Sequence, residues 1–537
     1  MELRLVPAAL SLWAALITLV LTERALWALV VIGVVAAVFA GLRHYGQAVL
    51  VALVSTLGIT GAWVARWRAE NFAQGPSFSA TVATAPGEGH LSVHTRGYPE
   101  PLTVFSDDPV IADLATGARV EITAEVSESS RLSLGGKIAH GEITSVADPT
   151  GPLAFAAAVR ERLTLSVEKL LDGEHRGLLP GMALGDTSLQ PAEAEELYRI
   201  TGLSHLSAVS GANVAIVTTA ALLLCRAVGV GPRVQTACAL IVLAVYILLV
   251  GTEPSVLRAG VTGLVGLVAV VASTRAQPLH ALALAILVLL LVQPHLAVNY
   301  GFALSVAATV GIILISPVIA APLIDAHLPP IVARAIAIAV AADVLTMPII
   351  SLMVGEVSVV AVVANILVAP AAAPVTILGI TAAAAGPLAA PFILAAAPLT
   401  WWIHTVAVIA AAVPVVTVEL DPVGVLIGYG WIITGLISGR VLSTSLVVAV
   451  GFVLLWSPER RAPAVDLSEI RAVTVSTEEE IENVPPGTQL IVVEDARGPP
   501  AEHPTVTREG VAVFYPERDG VVELLRDGTQ RAQDGRF

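Results

Sequence analysis

The stretch GLLPGMALGDTSLQPAEAEELYRITGLSHLSAVSGANVAIV, Gly177 to Val217, governs how the rest of the chain is read. It begins apolar and turns through Gly185-Asp186. A short acidic helix with Glu193, Glu195 and Glu196 follows. The chain then enters a membrane helix with an unusual set of polar side chains: Ser204, His205, Ser207, Ser210 and Asn213. At about 100° per residue, Ser204, Ser207 and Ser210 share one helical face. Gly211 and Ala212 leave room for a second backbone to approach closely.

Outward from this stretch the chain is dominated by apolar runs. Of its 537 residues 56% are hydrophobic and only 13% charged, against about 25% charged in soluble domains. The apolar runs approach the roughly 20 residues that a helix needs to cross a bilayer. Lipid offers no hydrogen-bond partners, so these runs must be helical. The fold class is therefore a polytopic α-helical membrane protein. Three spans are expected at 5–22, 25–41 and 47–65, forming an N-terminal membrane unit over 1–65. The first reads as an anchor, because no small-x-small cleavage site follows it. Ten more are expected at 203–224, 234–250, 256–273, 279–293, 298–316, 331–350, 357–380, 387–412, 422–437 and 440–456. Gly and Pro recur within them, so broken helices are expected. Before them, Pro152 to Leu171 is amphipathic and fits a helix lying along the interface. The membrane core thus runs over 151–461.

Two regions are polar. Residues 66–150 contain strand-like pieces at Ser77 to Thr84, Leu91 to Arg96, Arg119 to Val126 and Ile138 to Val146, separated by Gly- and Asp-rich turns. Their number and spacing predict a small barrel or sandwich of OB-like, five-stranded size. The tail over 462–537 reads as a small acidic β-containing domain, with strand-like pieces at Gln489 to Val493, Val511 to Tyr515 and Gly520 to Leu525.

Charge limits the function classes. The net charge is −14, and a large exposed nucleic-acid-binding face is normally basic. A structural cap over a pore mouth suits the acidic 66–150 domain better than DNA binding through a basic groove. Cys225 and Cys238 show no metal-ligand spacing and read as small hydrophobes. No metal or other cofactor is expected. No Walker-type loop is present, so an ATP-driven step would need a partner. With the N-terminus inside, Arg4, Arg43, Arg226, Arg233, Arg275 and Arg440 fall on the cytoplasmic side, and Glu253, Glu356, Glu419 and Asp421 opposite. This orientation puts 66–150 and the C-terminus outside. Arg24, Arg66, Arg68, Arg460 and Arg461 run against it.

The Gly177–Val217 stretch resembles the core signature of the ComEC family of competence proteins, with its Leu-Gly-Asp loop and Gly-Leu-Ser-His-Leu…Ser-Gly helix. The resemblance continues in order through Pro254-Ser255-Val256-Leu257-Arg258-Ala259 and Asn299-Tyr300-Gly301-Phe302-Ala303-Leu304-Ser305. It ends with Met347-Pro348, Gly355-Glu356-Val357-Ser358 and Asn365-Ile366-Leu367-Val368-Ala369-Pro370. It implies a bacterial cytoplasmic-membrane channel for single-stranded DNA, surrounded by membrane lipids. It also implies a cytoplasmic helicase-like motor and an extracytoplasmic DNA receptor as partners. Two departures stand out. Asn213 occupies a position where the family usually has His. The tail has one histidine, His503, and no His-x-His-x-Asp-His cluster, so a form without the metallo-β-lactamase-like domain is expected.

The candidate pathway residues are Asp186, His205, Ser207, Ser210, Asn213, Arg258, Asn299, Asp343 and Asn365. Ionisable groups inside membrane helices are costly and turn toward protein or water. Each has a structural alternative: an interhelical hydrogen bond for His205 and Arg258, a pair with Arg258 or another polar group for Asp343, and a cap for Asp186. Asn299 and Asn365 can bond across helices. His280, His295 and His404 lie near span ends and fit interfacial positions. No chemistry on the strand is expected. Two other functions remain open: a ComEC-like transporter of another polymer or lipid, and an intramembrane serine hydrolase with Ser210 as nucleophile and His280 or His295 as base.

Overall fold

The computed structural model describes residues 3–438 apart from 73–76, 85–86, 88, 130–131, 208, 210, 252, 272–276 and 414–415, and parts of 440–532. It divides into two units, Met1–Phe452 and Val453–Phe537.

The first unit opens with three apolar helices, α1 (Val6–Thr22), α2 (Ala25–Gly41) and α3 (Tyr45–Glu70). Helices α1 and α3 approach closely at Gly58, where any side chain would strike Leu12. A buried Ser55–Ser11 hydrogen bond of 3.3 Å joins them beside that contact. The Trp13 indole N–H donates to the Ala297 carbonyl at 2.8 Å, tying this layer to the later helices.

A closed barrel follows, built from β1 (Ser77–Val82), β2 (His90–Thr95), β3 (Leu102–Phe105), β4 (Arg119–Glu128) and β5 (Lys137–Ala147), in the order β1-β2-β3-β5-β4. Closure leaves no sheet edge unpaired. Alternation drives it: Phe78, Ala80 and Val82 on β1, and Leu91 and Val93 on β2, point into one core. Four of the five strands are legible in the sequence. The fifth, β3, is only four residues long and follows Pro101, so it offers little periodicity. The Lys137 ammonium donates to the Glu70 and Phe72 carbonyls, each at 3.3 Å, which anchors the barrel to the end of α3.

The membrane core contains α4 (Pro152–Leu170), α5 (Leu178–Leu184), α6 (Ala192–Ile200), α7 (Ser204–Ser207), α8 (Gly211–Ala227), α9 (Pro232–Val250), α10 (Pro254–Val271), α11 (Pro278–Val292), α12 (Tyr300–Leu314), α13 (Ser316–Asp325), α14 (Pro330–Val354), α15 (Ala361–Ala385), α16 (Ala390–Ala411) and α17 (Pro422–Ile437). A short ladder, β6 (Glu356–Ser358) with β7 (Thr417–Glu419), joins the loops after α14 and α16. Six spans among the described residues are long and apolar enough to cross a bilayer, with α7 and α8 counted together as Ser204–Ala227, or seven with the bent pair α12–α13. Shorter apolar helices, α1, α2, α10, α11 and α17 among them, accompany these. The structure is thus a polytopic helical membrane protein carrying a small closed β-barrel.

Three features differ from the expected spans. The expected 298–316 span is α12, but a further helix to which no span was assigned, α13, follows it at a 41° bend, with Pro317 in its first turn. Residues 178–184, an apolar stretch to which no element was assigned, form a helix with every residue buried. The face proposed for Ser204, Ser207 and Ser210 includes Ser210, which lies outside the described residues; Val209, between the end of α7 at Ser207 and the start of α8 at Gly211, is not helical. Most of the expected 440–456 span lies outside the described residues.

The second unit contains a parallel three-stranded sheet, order β10-β9-β8, from β8 (Ala472–Val475), β9 (Leu490–Val493) and β10 (Ala512–Phe514). A hairpin of β11 (Val522–Leu524) and β12 (Gln530–Ala532) accompanies it. His503 lies outside the described residues.

Candidate functional site

The site grows from α5. This helix of 7 residues is about two turns long, contains Pro180 and Gly181, and is buried throughout. So short a helix ends with carbonyls that lack helical donors. Neighbouring helices supply them. The Asn213 side-chain amide donates to the Met182 carbonyl at 2.9 Å, and the Tyr246 hydroxyl donates to the Ala183 carbonyl at 3.3 Å. Thr376 on α15 reaches the Asn213 amide oxygen at 3.4 Å. Gly379 lets α15 lie directly against Leu179 and Ala183. Asn213, expected as a pathway residue, therefore caps a buried helix end.

Past α5 the chain turns at Gly185, whose φ of +76° favours glycine. Asp186 then accepts from the Ser188 N–H at 3.1 Å and from the Thr164 hydroxyl of α4 at 2.6 Å. The Arg160 guanidinium, also on α4, lies within electrostatic reach of this carboxylate. Asp186 thus fastens the loop to the amphipathic helix.

The second half of the site is the interruption between α7 and α8. The Ser255 hydroxyl, at the start of α10, donates to the buried Val209 carbonyl at 3.0 Å. One turn further along α10, Arg258 is 6% exposed. Its Nε donates to the Ser305 hydroxyl of α12 at 2.9 Å. Its Nη2 lies so close to Gly211 that a Cβ there would collide with it. No carboxylate among the described residues offsets this guanidinium. Gly211 opens α8, a 17-residue helix. The first N–H groups of a helix lack internal acceptors and carry about half a positive charge. A full cation and a helix N-terminus thus stand side by side in a low-dielectric interior. That arrangement repels itself until an anion joins it.

The remaining expected residues are dispersed. His205 on α7 is exposed and hydrogen-bonds the Gly202 carbonyl. Ser210, and the side chain of Ser207, lie outside the described residues. Asn299 caps α12, accepting from the Phe302 N–H at 2.9 Å. It also lines a cavity of about 380 Å³ between the barrel and the core, with Glu100, Lys137, Glu253 and His295. Burial, reinforced by His94, pushes the His295 imidazole down to about 4. Asn365 is half-buried on α15. Asp343 is buried on α14 and pairs with neither Arg258 nor any other cation among the described residues. Of the histidines read as interfacial, His280 has a buried Nδ1 without a partner among the described residues. His404 bonds the Tyr198 hydroxyl at 2.9 Å. Sequence reading passed over Ser255, Ser305, Tyr246 and Thr376. The first two sit inside the quoted Pro254–Ala259 and Asn299–Ser305 segments and could have been found there. Tyr246 and Thr376 carry no local signal.

The fold and site define a multi-pass helical protein with a buried cation beside the start of α8. Sequence comparison makes the class specific. The family described as "Competence protein" matches residues 182–444. "ComE operon protein 3" of Bacillus subtilis (strain 168) is 26% identical over 217 residues, 38% of this chain and 28% of that protein. The chain belongs to the ComEC family of competence proteins. No solved structure matches it.

Proposed function

We propose that this protein is a channel that moves single-stranded DNA across the bacterial cytoplasmic membrane during natural transformation. The observation that carries the reading is the Arg258 guanidinium, without a carboxylate partner among the described residues, set against Gly211 at the start of α8. A phosphate is the anion such a pair fits, because guanidinium nitrogens match phosphate oxygens as a fork. Family membership supports the competence role, and the spanning helices support a transmembrane route. We read the barrel as an OB-type cap on the outer side; its strand order β1-β2-β3-β5-β4 favours that reading. With 6 Lys/Arg against 11 Asp/Glu over 66–148, its role is to frame the entrance rather than to hold phosphates. No step of bond chemistry on the strand belongs to this reading. A helicase-like motor inside and a DNA receptor outside would complete the system.

The test is uptake of labelled DNA into the cytoplasm of a deletion strain carrying the wild-type gene or Arg258→Ala. Loss of internalised label in both the deletion and the variant is expected. Normal transformation without the gene would reject the reading. The acidic barrel favours one competing reading, a ComEC-like carrier of another polymer or of lipid; uptake of DNA unchanged by Arg258→Ala would turn the assignment toward it.

A further inference from the structure

Asp343 is not used by that reading. It lies near the middle of the 25-residue helix α14, 13 residues from its start. At 1.5 Å per residue it is about 17 Å from the nearer end of the helix, Val354. It is 8% exposed, and its Oδ2 has no hydrogen-bond partner among the described residues. The clusters that flank it along α14 are apolar. On one side Gly311 of α12 presses against the backbone of Ala341 and Ala342 so tightly that a Cβ would not fit. Toward the start of α14, Ala333, Ala337 and Ala341 pack with Ile432 of α17. Toward its end, Met347 packs with Val425 and Tyr429 of α17. Asp343 is therefore a carboxyl group set in an apolar seam between α14 and α17.

The surroundings hold acceptors and few donors. Thr346 spends its hydroxyl on the Ala342 carbonyl, and Ser351 spends its own on the Leu420 carbonyl. Pro348 stands inside the helix. Proline has no N–H, so the Val344 carbonyl, next to Asp343, loses its helical donor. Among titratable groups on the elements packed against α14, Tyr429 of α17 is within electrostatic reach of Asp343. Tyr300 of α12, Asp325 of α13 and Glu356 of β6 exert no such influence on it, and α15 carries no titratable group. An ionised carboxylate here would be a buried charge with no counter-ion, which costs several kcal/mol even after relaxation. A metal cation would need about six oxygen ligands, and among the described residues Asp343 is the only carboxylate on the elements packed here that is set in this seam.

We propose that Asp343 is a proton-binding site of the membrane core, loaded while the α14–α17 seam is closed and unloaded when water enters that seam. The proton passes to that water, and the carboxylate left behind is then hydrated instead of bare. The site is independent of the DNA reading, since neither Arg258 nor α8 takes part.

Infrared difference spectra between acidic and alkaline buffer, recorded on the full-length protein in lipid bilayers, test it. A protonated-carboxyl band present at neutral pH is expected, lost in Asp343→Asn and retained at a shifted frequency in Asp343→Glu. The second variant serves equally if Asp343→Asn does not fold. In a Cys225→Ser, Cys238→Ser background, a cysteine at Val425 should react with a membrane-impermeant maleimide increasingly as the band disappears. A spectrum with no band assignable to Asp343 overturns the proton site. Val425→Cys labelling that ignores pH while the band disappears overturns its link to the seam.

Discussion

Arg258 and Asp343 are buried at nearly the same depth, 6% and 8% exposed, in one helical bundle, yet they are housed in opposite ways. Arg258 stands at a helix interruption. It has a hydroxyl partner on α12, a glycine opposite, and the N-terminus of α8 beside it. Asp343 stands inside a helix, between two apolar clusters, with an oxygen unpartnered among the described residues. A guanidinium cannot shed its charge, so the fold must surround it with dipoles and leave space for an anion. A carboxyl can become neutral, so the fold can leave it in an apolar seam. The contrast separates a site that holds charge from one that switches it.

Removing the charge at Arg258 should break the comparison most severely. A hydrogen bond to a charged group is worth about 1.5–3 kcal/mol, so Arg258→Ala should lower DNA uptake about ten- to a hundredfold. Arg258→Lys should fall between, since an ammonium keeps the charge and loses the fork. Uptake counts normalised to protein level distinguish the three.

Gly211→Ala leaves the charge intact and attacks its housing. The new methyl must displace Nη2, and overpacking of this kind costs about 1–3 kcal/mol. Uptake should drop while Asp343-dependent infrared signals remain. Equal loss of both signals would show that the two regions are one cooperative unit.

Asn213→Ala should strip the Met182 carbonyl of its donor. A buried group left unsatisfied costs about 1–3 kcal/mol, read as a lower thermal midpoint in detergent. Asn213→His should restore most of it, because an imidazole N–H can donate to the same carbonyl. A His variant no better than Ala would exclude the capping role as the reason for a polar residue there.

The smallest effects should lie in the barrel, where burial raises the Glu100 carboxyl above the ordinary range. A carboxyl raised in the folded state binds its proton more tightly than in the unfolded chain. Its contribution is complete below the unfolded value and fades as pH rises through the folded one. His295 has the opposite sign. Its imidazole is depressed to about 4, so its contribution holds above the unfolded value of 6.5 and is lost as pH falls toward 4. Amide protection factors in the full-length protein should therefore weaken at both pH extremes. Glu100→Gln should flatten only the alkaline side and His295→Gln only the acidic side.

Much of this architecture was legible in the sequence. The spanning helices follow from run length, since lipid forbids unsatisfied backbone. Alternating Phe78, Ala80 and Val82 announce a strand with one buried face. Arg258, Asn213 and Asp343 stand out because a polar group in an apolar run needs a reason. Other features were not legible. A window containing Pro180 and Gly181 gives little helical signal, because α5 forms through burial and borrowed caps rather than propensity. The interruption before Gly211 was hidden, because Ser204 to Val217 is compatible with a continuous helix until Ser255 engages the Val209 carbonyl from 46 residues away.

The sequence by itself determined a multi-pass helical protein with a small β region, a family signature and a short roster of polar residues within the membrane. Only the tertiary structure decided what each member of that roster does. Asn213 became a cap, Asp186 a fastening to α4, Arg258 a cation beside a helix start and Asp343 a carboxyl in an apolar seam. The physical reason is that hydrophobicity is a property of each residue and its near neighbours. A hydrogen-bond partner or a missing counter-ion is a property of what distant segments bring to the same place.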